Sequence, residues 1–239
     1  MSTHVTTQNL ARADVADDAP ATTERRTGSR GWAYAGIAAA VAGIVGTGGA
    51  IAVNAVYDPE IAADAPAVLA KLGGQTTQML VFHVGVSLSA VLLAVFALGL
   101  FRRLRAVEPV DSLAPALAAF GLLATSVVLV LGTALDTEFV FAVTETDIVV
   151  PEAAAMYNHW IGTVPGCWMM AGLSGLAVFG ASRRGGVPRW IGLTGLVLGG
   201  FTLLIGISPL QYMAGLTGLL WLLVTAIGFV VGDRAYRAS

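Results

Sequence analysis

His83 and His159, with the nearby acids Asp136, Glu138 and Glu152, are the residues of this chain best suited to chemistry. An imidazole beside a carboxylate could do acid–base work or bind a metal, because imidazole changes charge near neutral pH and its two nitrogens serve separate partners. The functional reading is a shallow pocket in which His83, Asp136, Glu138 and His159 act as catalytic groups, while Asn54, Asn158, Trp160 and Trp168 contact a substrate. The same residue types also cap helix ends and meet water, which is the simpler reading for the set as a whole. No metal or cofactor is expected.

Two further uses are open to these residues. His83 and His159 could ligate a haem iron axially if they faced each other at one depth. Alternatively, Asp136 or Glu138, kept protonated by burial, could donate a proton to a lipophilic isoprenoid. Phe82, Phe141, Tyr157, Trp160 and Trp168 would then present aromatic faces to the resulting carbocation. Aromatics at such positions also serve as membrane-interface anchors, as expected here of Trp160, Tyr157, Trp190 and Tyr212.

The elements that must position these groups are membrane spans. The chain is 56% apolar and 12% charged, with a mean hydropathy of +0.77, whereas soluble domains carry about 25% charged residues. Six apolar runs without formal charge alternate with polar connections. They cover approximately Trp32–Val56, Gln78–Phe101, Leu113–Leu135 and His159–Ala181, followed by a stretch from Trp190 to Val231. That stretch is too long for one crossing at about 20 residues each, and Ser208-Pro209 divides it. Pro165-Gly166 should kink the fourth span.

Charge sorts the connections. Arg12, Arg25, Arg26 and Arg30 precede the first run; Arg102, Arg103 and Arg105 follow the second; Arg183, Arg184 and Arg189 follow the fourth; Arg234 and Arg237 follow the sixth. The alternate side has one base, Lys71, against eight acids. Because retained Lys/Arg marks the cytoplasmic face, both termini are expected to be cytoplasmic. The expected fold is thus an all-α, polytopic bundle of six transmembrane helices in a bacterial inner (plasma) membrane. It occupies 31–233, between a disordered polar tail at 1–30 (with His4) and a short tail at 234–239. The outer loops are 57–77 and 136–158. Ile61, Val68, Leu69 and Leu72 share a helical face in the first, which predicts a short interfacial helix. Phe139–Thr144 alternates weakly in the second and is read as extended. No cleavable signal peptide is expected, since the first apolar stretch follows a long polar leader.

Depth narrows the chemistry. From His83 to Arg102 is roughly 28 Å of helix, and from His159 to Arg183 roughly 36 Å, which puts both histidines near the outer surface. Asn54, Asp136 and Asn158 fall at similar depth, so polar residues gather at one mouth. The midplane holds only Ser, Thr and Cys, including Ser87, Ser89, Thr125, Ser126, Ser174 and Thr202. Such hydroxyls are expected to bond back to their own helices. Proton pumps and most ion-coupled transporters keep ionisable groups within their spans, so a transporter is disfavoured. Nucleic-acid binding is excluded for want of a basic stripe on a soluble domain. Gly43, Gly46, Gly48 and Gly49 should permit close helix approach, and the Gly-xxx-Gly pairs Gly162/Gly166, Gly195/Gly199 and Gly228/Gly232 are read as packing within the bundle.

The second half carries a family resemblance. Asn158-His159-Trp160, a Gly-rich fourth span ending in Arg183-Arg184, and Gly186-Val187-Pro188-Arg189-Trp190-Ile191-Gly192 opening the fifth span resemble the uncharacterised six-span bacterial family called domain of unknown function 4386. The likeness implies the six-span layout over about residues 32–232 and implies no activity. Two functional classes follow from the residues: an accessory, sensing or scaffold subunit with an acidic, His-containing outer pocket, or a membrane-embedded enzyme acting on a lipophilic substrate. Expected partners are membrane lipids and a lipophilic small molecule.

Overall fold

The computed structural model describes residues 30–145 and 147–233. The expectations for the two tails, with His4, Arg12, Arg25, Arg26, Arg234 and Arg237, lie outside the described residues. The described chain is helical and contains no strand. Six helical segments are long and apolar enough to cross a membrane: Gly31–Ala52, Thr76–Arg105, Ala114–Ala142, Pro151–Arg183, Arg189–Ile207 and Gln211–Val231. These first to sixth spans make the chain a multi-pass membrane protein. Up to the end of the fourth span the helices are α1 (Gly31–Ala52), α2 (Ala65–Gly73), α3 (Thr76–Arg105), α4 (Ala114–Gly132), α5 (Asp136–Ala142), α6 (Pro151–Thr163) and α7 (Met169–Arg183). Consecutive spans pack side by side, and the sixth returns against the first as well as the fourth and fifth. The end of the bundle bearing Arg102, Arg103, Arg183 and Arg184 is called the arginine end below, and the opposite one the acidic end.

Glycine decides how closely the first two spans approach. In α1 (Gly31–Ala52), a Cβ at Gly46 would lie 2.7 Å from the Val86 backbone nitrogen, and one at Gly49 would lie 2.7 Å from that of Phe82. Gly48, expected to share this role, points into open space. It lies two residues from Gly46, on the far side of a helix with 3.6 residues per turn. The three Gly-xxx-Gly pairs all meet neighbours of the same chain: Gly162 against Tyr57, Gly166 against Tyr212, Gly195 and Gly199 against Gly175, and Gly228 and Gly232 against Trp190.

Close approach redirects the hydroxyls. Ser89 donates to Ala39 O at 2.8 Å, Ser126 to Ala90 O at 2.8 Å and Ser174 to Ala118 O at 2.7 Å, so each serine ties its span to the preceding one. Thr202 reaches Thr217 of the sixth span at 2.8 Å. The expectation of back-bonding holds for Thr125, which donates to Gly121 O, and for Thr202, which also bonds Leu198 O at 2.7 Å. It fails for the three serines; for Ser89 and Ser174 a glycine on the facing helix (Gly43 and Gly121, respectively) leaves room for the hydroxyl to cross.

The acidic end is more helical than its sequence indicates. Helix α2 (Ala65–Gly73) is capped by Asp64, whose Oδ1 accepts from Ala67 N at 3.2 Å. Its face of Val68, Leu69 and Leu72 is buried against helix α6 (Pro151–Thr163) rather than laid on lipid, which corrects the interfacial reading. Lys71 pairs with Asp58 at 2.8 Å and holds that carboxyl below its ordinary range. Residues Asp136–Ala142 form a short helix, α5, that continues the third span and takes in the first four residues of Phe139–Thr144, the segment expected to be extended. Its first turn carries Asp136 and Glu138, which suit a helix N-terminus, and Phe139 stacks flat on buried Tyr157 with ring centroids 4.5 Å apart. The fourth span breaks where expected. Helix α6 ends at Thr163, Val164–Gly166 forms one 3-10 turn, and helix α7 starts at Met169.

Candidate functional site

Asp136, at the start of α5, is almost sealed, with its side chain 1% exposed. Two groups hold it. His83 Nδ1, from the second span, sits 3.0 Å from Oδ2, and Tyr157 of α6 donates its hydroxyl to Oδ1 at 2.8 Å. A burial this complete leaves a carboxylate dependent on its partners, since an unpaired charge out of water is costly. The imidazole itself is 37% exposed. With Nδ1 turned to the carboxylate, Nε2 makes no hydrogen bond among the described residues and faces outward from the pair. One helical turn deeper, Ser87 reaches Thr133 at 3.4 Å, which continues a polar seam between the second and third spans. An imidazole oriented through Nδ1 with a free Nε2 is the arrangement used by general bases and by metal-ligating histidines. Among the described residues no group of three or more His, Cys, Asp or Glu is placed to hold a metal ion.

The other candidates divide away from this pair. His159 follows Tyr157 by two residues, about 200° around the helix, so it faces the opposite side of α6. There it meets Tyr57 edge-on, with ring centroids 5.6 Å apart. The two histidines have separate neighbours, and the facing pair that axial haem ligation needs is not formed. Asn158 is fully buried and structural. Its amide donates to Val53 O at 2.7 Å and its carbonyl accepts from Val56 N at 3.0 Å, which clamps the chain where it leaves the first span. Asn54 is exposed and paired with Gln75. Glu138 is exposed and forms no ion pair with either histidine among the described residues. Trp160 is half-buried and donates to Gly132 O at 2.9 Å, tying the fourth span to the third.

Trp168, expected in a substrate wall, is buried. It donates to Pro165 O at 3.0 Å and packs on Gly218 of the sixth span, filling the space the kink opens. The aromatic set suggested for a carbocation is dispersed. Phe82 and Tyr157 are wholly buried, whereas Phe141 is exposed. Asp136 has both oxygens occupied and no open face toward a substrate. Tyr157, expected as an interface anchor, is instead the carboxylate's hydrogen-bond donor.

His159 opens on a recess at the acidic end. This cavity of about 480 Å³ lies between the first, fourth and sixth spans. Its floor is the Pro165-Gly166 break, its rim carries Tyr57, His159 and Tyr212, and its walls include Ile51, Met213 and Leu216. Ile51 and Leu216, both within apolar spans, are strongly exposed on its wall. Burial and the neighbouring Tyr212 hold the Tyr57 phenol above its usual range, so it stays a neutral hydroxyl in the physiological range. Gly166 makes the recess possible, because its Cα packs directly on the Tyr212 backbone where a Cβ would not fit. Neither Tyr57 nor Tyr212 stands out as a recess residue in the sequence; only the return of the sixth span against the first brings them together.

Comparison with protein-family models, with curated proteins and with solved structures returned no match to this chain.

Proposed function

We propose that this protein is a non-catalytic membrane subunit of the sensing or scaffold kind, and that it binds a lipophilic small molecule with one polar end in the recess between its first, fourth and sixth spans. The observation that carries this reading is the recess itself: apolar walls open to lipid, with His159 and two tyrosines gathered at one rim. Its volume lies within the range of small-molecule sites, about 300–1,000 Å³. The apolar walls would take the hydrocarbon part, and the imidazole and phenols would hydrogen-bond the polar end. The distribution of arginine supports a placement in a bacterial plasma membrane with both termini cytoplasmic, which puts the recess in the outer leaflet. The resemblance to the domain of unknown function 4386 accords with the six-span layout.

The test is mass spectrometry of organic extracts from the purified protein and from two variants. Leu216→Trp fills the recess from its exposed wall, and His159→Ala removes a rim partner. A lipophilic compound enriched with the wild-type protein and depleted in both variants is the expected result. Equal recovery from all three proteins refutes the reading.

A second reading rests on a different observation. Asp136 orients His83 and leaves Nε2 free, as in acid–base enzymes. In this enzyme reading the imidazole, not the sealed carboxylate, exchanges the proton with a lipophilic substrate. Loss of a cellular phenotype in His83→Ala, with fold intact and His159→Ala silent, would favour it over the binding role.

A further inference from the structure

The arginine end holds a second cavity, of about 910 Å³, bounded by the turn between the fourth and fifth spans. Four arginines line it, Arg103, Arg183, Arg184 and Arg189, against one carboxylate, Asp233. Two of these charges are already matched. Arg184 pairs with Glu108 of the neighbouring connection, and Arg103 binds Asp233 through Nε at 2.5 Å and Nη2 at 2.7 Å. Arg183 and Arg189 have no carboxylate partner among the described residues, and both are exposed. The cavity therefore carries an excess of positive charge.

Arg103 adds an independent observation. Its side chain is only 8% exposed, and Nη2 also donates to Gly186 O at 3.2 Å. Its remaining nitrogen, Nη1, is buried and has no hydrogen-bond partner. A buried guanidinium donor left unmatched costs free energy that an anionic acceptor would recover. Trp190, 43% exposed on the cavity wall, is a residue type that settles at headgroup level.

We propose that this cavity is a binding site for a phosphate-bearing anion, and that its source is the headgroup of an anionic glycerophospholipid. The phosphate sits against Arg183 and Arg189 and draws on the spare donor of Arg103, while the acyl chains run along the exposed apolar face of the fifth span. The volume accommodates a whole headgroup rather than a lone phosphate. Basic pockets between spans recognise anionic headgroups in this way.

The experiment is native mass spectrometry of the purified full-length chain with phosphatidylglycerol or phosphatidylcholine, paired with thermal unfolding in each lipid and in inorganic phosphate. The wild-type protein should retain phosphatidylglycerol preferentially. Each basic residue near an anionic surface is worth about fivefold in affinity, so Arg183→Gln combined with Arg189→Gln should weaken retention by about 25-fold. Both substitutions are on exposed side chains, so the lipid-free unfolding temperature should not change. Arg103→Gln should weaken retention too, although it also breaks the pair with Asp233. Stabilisation by inorganic phosphate, lost in the double variant, would keep the site and assign it a soluble source. Equal retention of the two lipids without any phosphate effect, or full preference in the double variant, overturns the proposal.

Discussion

At the scale of single residues, the decisive group is Tyr157. Its hydroxyl and His83 together satisfy a carboxylate that has no access to water. Replacing Tyr157 by Phe keeps the ring stacked on Phe139 and removes only the donor. The expected cost is about 1–3 kcal/mol, that of orphaning a buried acceptor. His83→Ala should cost less, roughly 1 kcal/mol or below, because the imidazole is partly solvated and water can replace it. Thermal unfolding of the two variants in one detergent checks the order; a His83 variant less stable than the Tyr157 variant would contradict it. The pairing of His83 with Asp136 was open to anticipation from depth, since both fall near the acidic mouth. The separation of His159 from that pair was not, because it depends on the rotation of α6 about its own axis. Four apolar or small residues precede Tyr157 in α6, and they give no clear sign of which face is turned inward.

At the scale of elements, close helix contact governs how the bundle locks. Gly46 and Gly48 sit two residues apart in one helix, with opposite surroundings. Gly46→Val forces a side chain into the backbone of the second span and should destabilise by about 1–3 kcal/mol or more. Gly48→Ala meets nothing and should be neutral or stabilising by up to about 1 kcal/mol, as Ala is the better helix former. Measuring both unfolding temperatures tests the assignment of faces; equal effects would refute it. The serines follow the same contact. Whether Ser89, Ser126 and Ser174 bond within or between helices depends on the residue across from them, which a reading of one helix at a time cannot reveal. Helix α5 was missed for a related reason: its alternating pattern in Phe139–Thr144 is weak, and its helix is stabilised by Phe139 stacking on another span.

At the scale of the whole molecule, the two ends differ in charge and in what holds them closed. Glu108 joins the second and third spans to the fourth through Arg184. Burial raises the Glu108 carboxyl, but its bonds to Arg184 and Ser112 outweigh that and leave it below the ordinary value of 4.5. A carboxyl lowered by folding contributes stability above its unfolded value, and that contribution is lost as pH falls through its folded value. Glu108→Gln should therefore unfold at a lower temperature than wild type at pH 7, by about 1 kcal/mol or less since Arg184 is 47% exposed. The difference should start to shrink as pH falls below 4.5 and vanish once pH has passed the lowered folded value; a gap that persists or widens in strong acid would be inconsistent with the clamp. The arrangement of the ends predicts orientation as well. Neither terminus should react with a membrane-impermeant reagent in intact cells, and labelling of either would invert the bundle and move the recess to the inner leaflet.

The residues alone determined the class of this protein, its six crossings, the break at Pro165-Gly166 and the sorting of arginine from acid. All of these follow from local composition, because a bilayer demands long apolar helices and strands no charge within them. What the tertiary structure decided is which polar groups meet. The return of the sixth span against the first made a recess around His159. The turn of α6 placed Tyr157, not His159, beside Asp136. The packing of the second span's end against the turn between the fourth and fifth spans brought Arg103 to the arginines of that turn around one cavity. Each is a contact between segments distant in the chain, set by helix rotation and close approach, and neither quantity is written in a single span.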